Sequence, residues 1–318
     1  MRAARTLWGV LLALLCTGPA LALTPLTDDD ILRQFMWQRL ISLPKQQRPS
    51  IGLALSAGGV RGFAHVGVLE VLDNAQMPVD YLAGTSMGSV IGGLYAAGLP
   101  TEKLWELGNH ITISTLTPDF NVMGLFRLVF EKKLPTSSNL EKFFEEQLGD
   151  KQFEDLPIPF SCSAMDVKTG ERVLFNSGPL AIAVRASMNL PGVFEPVQYR
   201  HRALVDGAVV DYLPVETVKH MGADYVIASV TPFDFSSKTP TTILGYVNRV
   251  NDVRAAAMIE EAAKRANFVL TTRVLDTGTL ELNKLRQSGE VGVKQAHQHL
   301  AELQEDLLLY ALPYVFKK

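Results

Sequence analysis

The sequence predicts an α/β fold: a mainly parallel sheet covered by helices on both faces. Two observations carry this. From Ile51 onward, short apolar runs closed by glycines alternate with helix-like stretches, and strands buried on both faces read as continuous apolar runs. The chain is also large enough. Its 318 residues are 47% hydrophobic and 20% charged, which allows a substantial core and excludes whole-chain disorder.

The elements follow in order. Residues 51–56 form a short apolar run, the first strand. Residues 62–74 read as a helix and 79–83 as a second strand. Residues 87–97 read as a helix ended by Gly98 and Pro100. The middle is less regular. A helix is expected over 139–148, and a hairpin over 160–166 and 172–175, turning through Lys168, Thr169 and Gly170. Residues 197–199 and 203–205 flank a short polar turn. A buried strand follows at 224–230, a long helix at 243–266, a late strand at 268–274 and a terminal helix at 289–309. There is no internal repeat, so one domain over 51–318 is the simplest division.

Ahead of that domain, Arg2 and Arg5 precede an apolar run from Leu7 to Cys16. Gly18 and Pro19 break the run, and Ala20, Leu21 and Ala22 supply a small-x-small pattern. This is the layout of a secretory signal peptide over residues 1–22. The run is shorter than the roughly 20 residues of a bilayer-spanning helix. Bulky Leu15 before Cys16 argues against a lipoprotein. The expected location is the periplasm or outside a bacterial cell, with membrane association left open. Residues 23–50, polar and helix-prone, read as an N-terminal arm or linker.

Cleavage there would leave Cys162 as the sole cysteine. It sits in an apolar run and reads as a small buried hydrophobe, with no partner for an intrachain disulfide. A net charge of −3 and six scattered histidines give no basic stripe, which excludes nucleic acid as a partner. None of these features sets an oligomeric state.

Gly84, Thr85, Ser86, Met87 and Gly88 form a G-x-S-x-G motif between the second strand and its helix. A sharp strand-to-helix turn exposes a serine hydroxyl at a helix N-terminus, and small flanking residues avoid clashes. Ser86 is therefore the candidate nucleophile. It needs a base. His297 and His299 lie in a polar helical stretch, His201 lies in a turn and His220 at a helix end. His65 precedes the serine, the wrong order for a hydrolase triad. Asp206 ends a buried strand and is followed by Gly207, a turn glycine. That places a carboxylate at the carboxyl edge of a sheet, where α/β proteins keep their sites. Asp166 ends another strand in the same way, and position alone does not separate the two.

Ala57, Gly58, Gly59, Val60, Arg61 and Gly62 join the first strand to the first helix. No Gly-Lys-Ser/Thr follows, so this is not a P-loop. A dinucleotide fingerprint would need glycine at Ala57 and an acid closing the second strand, whereas Asp80 opens it. The remaining use is an oxyanion hole built from the amides of Gly58, Gly59 and Val60. Arg61 is read as a brace for this loop. No ligand cluster for a metal stands out.

Together the stretches SAGGVRG (56–62), FAHVGVL (63–69), GTSMG (84–88), ASMNLPGVFEP (186–196) and LVDGA (204–208) resemble the patatin-like phospholipase family. The resemblance covers about 51–230. It implies a three-layer α/β/α fold and a Ser–Asp dyad, with Ser86 the nucleophile and Asp206 the base. Asp166 and the histidines are then not catalytic. Gly62, Gly84, Gly88, Gly207 and Arg61 take supporting places. The implied function is lipid acyl hydrolysis of the phospholipase A or lysophospholipase type. Its substrate would be a phospholipid or another acyl-ester lipid, with no cofactor. One departure is Ala57, where the family's loop often has glycine. Two other readings are a general carboxylesterase or thioesterase, and a non-catalytic secreted lipid-binding module. The 116–134 segment reads either as a lid or membrane-contacting helix, or as an ordinary helix packed on the core.

Overall fold

The computed structural model describes residues 27–110, 134–235, 239–275, 277–278 and 281–316. The export-signal reading of 1–22 lies outside them, as does the 116–134 segment except its last residue. Helix α1 (Asp28–Ile41) leads to β1 (Ile51–Leu55), a 3-10 turn (Gly59–Phe63), α2 (Ala64–Asn74), β2 (Tyr81–Thr85), α3 (Met87–Ala96) and α4 (Thr101–His110). Then come α5 (Ser138–Leu148), β3 (Phe160–Asp166), β4 (Arg172–Phe175), α6 (Leu180–Ser187), β5 (Val197–Tyr199) and β6 (Arg202–Asp206). The chain continues through α7 (Val215–His220), β7 (Tyr225–Val230), α8 (Ile243–Ala263), β8 (Phe268–Thr271) and α9 (Leu285–Val315).

The strands form one sheet in the order β5-β6-β3-β2-β1-β7-β8, with β4 also paired to β3. From β3 to β8 along that order every pair is parallel. The β4, β5 and β6 pairings are antiparallel. Successive side chains of a strand point to opposite faces, and the core divides accordingly. Leu53, Leu55, Leu82 and Ile227 pack with Trp37, Leu69, Leu94, Phe144, Val184 and Leu303 from α1, α2, α3, α5, α6 and α9. Ala54, Ala83, Val226 and Ala228 pack with Val215 and Val218 of α7 and Ala255 and Ile259 of α8. The fold is a three-layer α/β/α sandwich.

Several boundaries differ from the sequence reading. The second strand begins at Tyr81, two residues late, because Asp80 is drawn into a polar staple. Its Oδ2 accepts from the Ile51 amide at 2.8 Å and from Arg48 Nη1 at 2.6 Å. The helix expected from Gly62 opens as a 3-10 turn and becomes α-helical at Ala64. The last strand stops at Thr271. The terminal helix runs on through Pro313 because Leu307, Leu308, Ala311 and Val315 keep one side of it buried. The stretch read as an arm or linker holds α1. A capping box between Thr27 and Asp30 starts it, and Trp37 and Leu40 are buried. The Trp37 indole N–H donates to the Ala75 carbonyl at 2.9 Å. Among the described residues, no helix is long and apolar enough to cross a membrane.

Candidate active site

Ser86 sits at the turn between β2 and α3 with φ 55° and ψ −123°. A non-glycine residue there carries strain on the order of 1–3 kcal/mol. Hydrogen bonds hold it in place. The Ser86 carbonyl accepts from the Ser89 amide at 2.8 Å and the Ser89 hydroxyl at 2.6 Å. The Ser86 amide donates to Ser187 Oγ at 3.1 Å. The two motif glycines are required by close approach. A Cβ on Gly84 would lie 2.2 Å from the Gly88 carbonyl oxygen, and one on Gly88 would lie 2.5 Å from that of Leu55.

The Ser86 hydroxyl donates to Asp206 Oδ2 at 2.6 Å. The second carboxylate oxygen, Oδ1, accepts from the Ala208 amide at 2.8 Å. Asp206 is 1% exposed and Ser86 5%. Burial pushes the Asp206 carboxyl up to about 6, against the hydrogen bonds from Ser86 and Ala208, which favour the charged form. The amide of Asp206 donates to the Asn189 carbonyl at 2.9 Å. Gly207 lies against β3, where a Cβ would come 2.2 Å from the Ser163 carbonyl oxygen.

The sequence argument for Asp206 needs correction on its route. β6 runs antiparallel to β3, so its end is not the carboxyl edge of a parallel strand. Asp206 pairs with Ala164, and Ser163 pairs with Thr85. The carboxylate thus reaches the level of Ser86 because β6 runs inward along the far end of β3.

Asp166 has a different setting. Its Oδ1 accepts from the Lys168 amide at 3.1 Å, within the hairpin turn, and Oδ2 faces Arg202 Nη1 at 3.4 Å. The five histidines weighed above also lie elsewhere. His220 Nδ1 is 2.6 Å from the Glu216 carbonyl oxygen, His299 pairs with Glu302 at 3.1 Å, and His201 and His297 are exposed. His65 is fully buried, and burial lowers its pKa to about 4. Cys162 is a free, buried thiol whose pKa burial raises.

The glycine loop follows β1. Gly59 takes φ 54°, and the Ala57 amide donates to the Tyr212 carbonyl at 2.9 Å. Gly62 packs on the first residue of α3, where a Cβ on the glycine would lie 2.7 Å from Met87 Cβ. The loop therefore borders the serine turn. Gly58, Gly59 and Val60 stand at the start of the 3-10 turn, where amides lack helical partners. Arg61 points inward and is 6% exposed. Its guanidinium lies 4.8 Å from the Phe233 ring centre and donates to the Thr277 carbonyl at 3.3 Å.

Sequence reasoning assigned no role to Ser187 or Asn189, which hold the backbones of Ser86 and Asp206. Both lie in the 186–196 stretch. The available signal was two polar residues set between Ala186, Met188 and Leu190 where a helix ends. Among the described residues, no group of three or more His, Cys, Asp or Glu side chains converges as a metal site.

Comparison with known proteins gives the same motifs a family. A family model described as patatin-like phospholipase matches residues 53–219. An uncharacterized NTE family protein of Mycobacterium tuberculosis is 37% identical over 183 residues, 57% of this chain and 48% of the relative. Lysophospholipase NTE1 of Yarrowia lipolytica is 30% identical over 299 residues, 83% of this chain and 20% of the relative. The chain thus spans about half the length of the first relative and a fifth of the second. Among solved structures, VipD from Legionella pneumophila superposes with a TM-score of 0.49 at 13% identity, covering 83% of this chain and 67% of that one. With the family model spanning more than half of its residues, from β1 past Asp206, the chain belongs to the patatin-like phospholipases.

Proposed function

We propose that this chain hydrolyses acyl esters of lipids, as a phospholipase A or lysophospholipase, with Ser86 as nucleophile and Asp206 as base. The observation that carries the proposal is the 2.6 Å hydrogen bond from the Ser86 hydroxyl to the buried Asp206 carboxylate. The choice of lipid esters follows the family, and a lysophospholipase is among its relatives.

In this reading Ser86 Oγ attacks the ester carbonyl as its proton passes to Asp206 Oδ2. The tetrahedral oxyanion is held by the amides of Gly58, Gly59 and Val60. One such donor typically contributes about 2.7–4 kcal/mol to transition-state stability. The intermediate collapses, the ester C–O bond breaks, and Asp206 returns the proton to the leaving alcohol. Water then loses a proton to Asp206 as it attacks the acyl-enzyme. The second intermediate collapses, the acyl–Oγ bond breaks, and Asp206 passes its proton to Ser86 Oγ as the fatty acid leaves. A carboxyl lifted to about 6 is still ionised at neutral pH, yet is a stronger base than a solvated one.

Residues 1–22 support export to the periplasm or beyond, with peripheral membrane contact during catalysis. N-terminal sequencing of the exported protein tests this. A start at Leu23 is expected, and retention of Met1 in the cytoplasm would refute it.

Fatty-acid release is the test of activity, measured on phospholipid and lysophospholipid vesicles beside short-chain soluble esters. Release from lipid that vanishes in Ser86→Ala is expected. Undiminished release by Ser86→Ala would overturn the proposal. Turnover confined to short-chain esters would favour the carboxylesterase reading. Failure of a fluorophosphonate to label Ser86 would favour the lipid-binding one.

A further inference from the structure

We infer that Thr231 is a positioning residue of the oxyanion hole. Its hydroxyl fixes the Ala57–Gly58 peptide so that the Gly58 N–H faces the cleft beside Ser86. This rests on the reading of the glycine loop as the oxyanion donor.

Thr231 follows β7 directly, and β7 is a parallel neighbour of β1. Thr231 is fully buried. Its amide donates to Ser56 Oγ at 3.1 Å, and its hydroxyl donates to the Ala57 carbonyl at 3.0 Å. The Ser56 hydroxyl donates to the same carbonyl at 2.8 Å. The Ala57 oxygen therefore accepts two hydroxyl hydrogen bonds.

The consequence follows from peptide geometry. A trans peptide is planar, and its N–H points opposite to its C=O. Two donors that fix the Ala57 carbonyl thereby fix the Gly58 amide, which must point away from Thr231 and Ser56. The same hydroxyl packs directly on Gly58, since a Cβ there would lie 2.2 Å from Thr231 Oγ1, so only glycine fits at this point of the loop. A donor aimed before reaction needs no reorganisation when charge develops.

The base of the loop is held too. His65 Nε2 lies 2.9 Å from the Ser56 carbonyl oxygen, and Nδ1 lies 2.8 Å from Ser229 Oγ. A carbonyl only accepts, so the imidazole proton sits on Nε2 and Ser229 donates to Nδ1. Ser56 is thus gripped by His65 from beneath and by Thr231 from the side. Thr231 itself acts on substrate only through Gly58.

The test uses the full-length protein and a lipid ester that it hydrolyses. Thr231→Val keeps shape and removes the hydroxyl. It should lower kcat by about tenfold to a hundredfold, short of deleting a donor outright, with KM almost unchanged. Thr231→Ser keeps the donor and should restore most of the rate. A trifluoromethyl ketone carrying an acyl chain forms a tetrahedral oxyanion on serine. Its inhibition by Thr231→Val should weaken by the same factor as kcat/KM. If Thr231→Val does not melt cooperatively, Thr231→Ala is the hydroxyl deletion. Parental kcat in the folded deletion variant overturns the proposal, as do equal losses in that variant and Thr231→Ser, which would mean packing alone. Ser86→Ala is run alongside. If it abolishes turnover while the Thr231 deletion does not, only the role of Thr231 falls. If Ser86→Ala stays active, the hydrolase reading falls with it.

Discussion

Ser86 Oγ and Asp206 Oδ2 meet at 2.6 Å although 120 residues separate them along the chain. They approach from opposite sides of β3. Ser86 leaves β2, its parallel neighbour, and Asp206 ends β6, its antiparallel one. The pair is buried, so its chemistry depends on a carboxylate that water hardly reaches.

That dependence shows in pH. Protonated Asp206 cannot accept the serine proton, and burial lifts its carboxyl to about 6. The kcat/KM of lipid hydrolysis should therefore rise with pH through a single ionisation near 6 and then level. Ser86→Ala and Asp206→Asn should each abolish the rise by abolishing turnover. A flat acid limb, measured with a substrate that does not titrate, would count against Asp206 as the base.

The same burial has a cost in stability. The folded carboxyl lies above its ordinary value of 3.8. Its contribution is therefore fully present below that value and is lost as pH rises through about 6, by an amount on the order of 3 kcal/mol. Asp206→Asn removes the charge and can still accept from Ala208. It should be inactive yet more stable than the parent at pH 8, an advantage that fades towards pH 4. Urea melts at the two pH values read this directly.

His65 acts in the opposite sense. Its pKa falls from 6.5 to about 4 on burial, so the unfolded chain takes up the proton first. The stability contributed by the neutral ring is complete above 6.5 and lost as pH falls through about 4, again on the order of 3 kcal/mol. The difference in urea midpoint between the parent and His65→Gln should narrow or reverse between pH 7 and pH 4. An unchanged difference would place His65 outside the acid response.

Helix α1 is expected to be part of the fold. Trp37 is 3% exposed, and its indole is bonded to Ala75. Trp37→Ala should destabilise the protein by about 3–5 kcal/mol. A melting temperature equal to the parent's would mean that α1 hangs free of the domain.

Much of this was legible in the sequence because it is local. The glycines at 84 and 88 announce a turn whose clashes only they avoid, and 160–175 reads as a hairpin because its turn residues are adjacent. What escaped was non-local. The antiparallel run of β6 is fixed by pairing with β3, so the site of Asp206 came by family resemblance, and the strand argument for it was wrong in direction. Asp80 looked like part of the opening of a strand over 79–83 until Arg48 and the Ile51 amide claimed its carboxylate. Ser187 matters through a hydroxyl aimed at a residue 101 positions away, and no periodicity encodes that. Residues 23–50 read as helix-prone, yet their polar look hid that the helix docks on the domain, through Trp37 and Leu40.

The central place of β1 between β2 and β7 also bears on how the protein is made. Ser50 and Asp224, joined by a hydrogen bond where that seam begins, are 174 residues apart. At about 5–20 residues per second, the ribosome needs roughly ten to thirty-five seconds to deliver the second partner after the first. Throughout that interval one edge of an apolar strand stands open, a template for any passing strand. Fragments ending before β7 should accordingly collect in the insoluble fraction, and holding the chain through this stage is a demand the finished molecule no longer reveals.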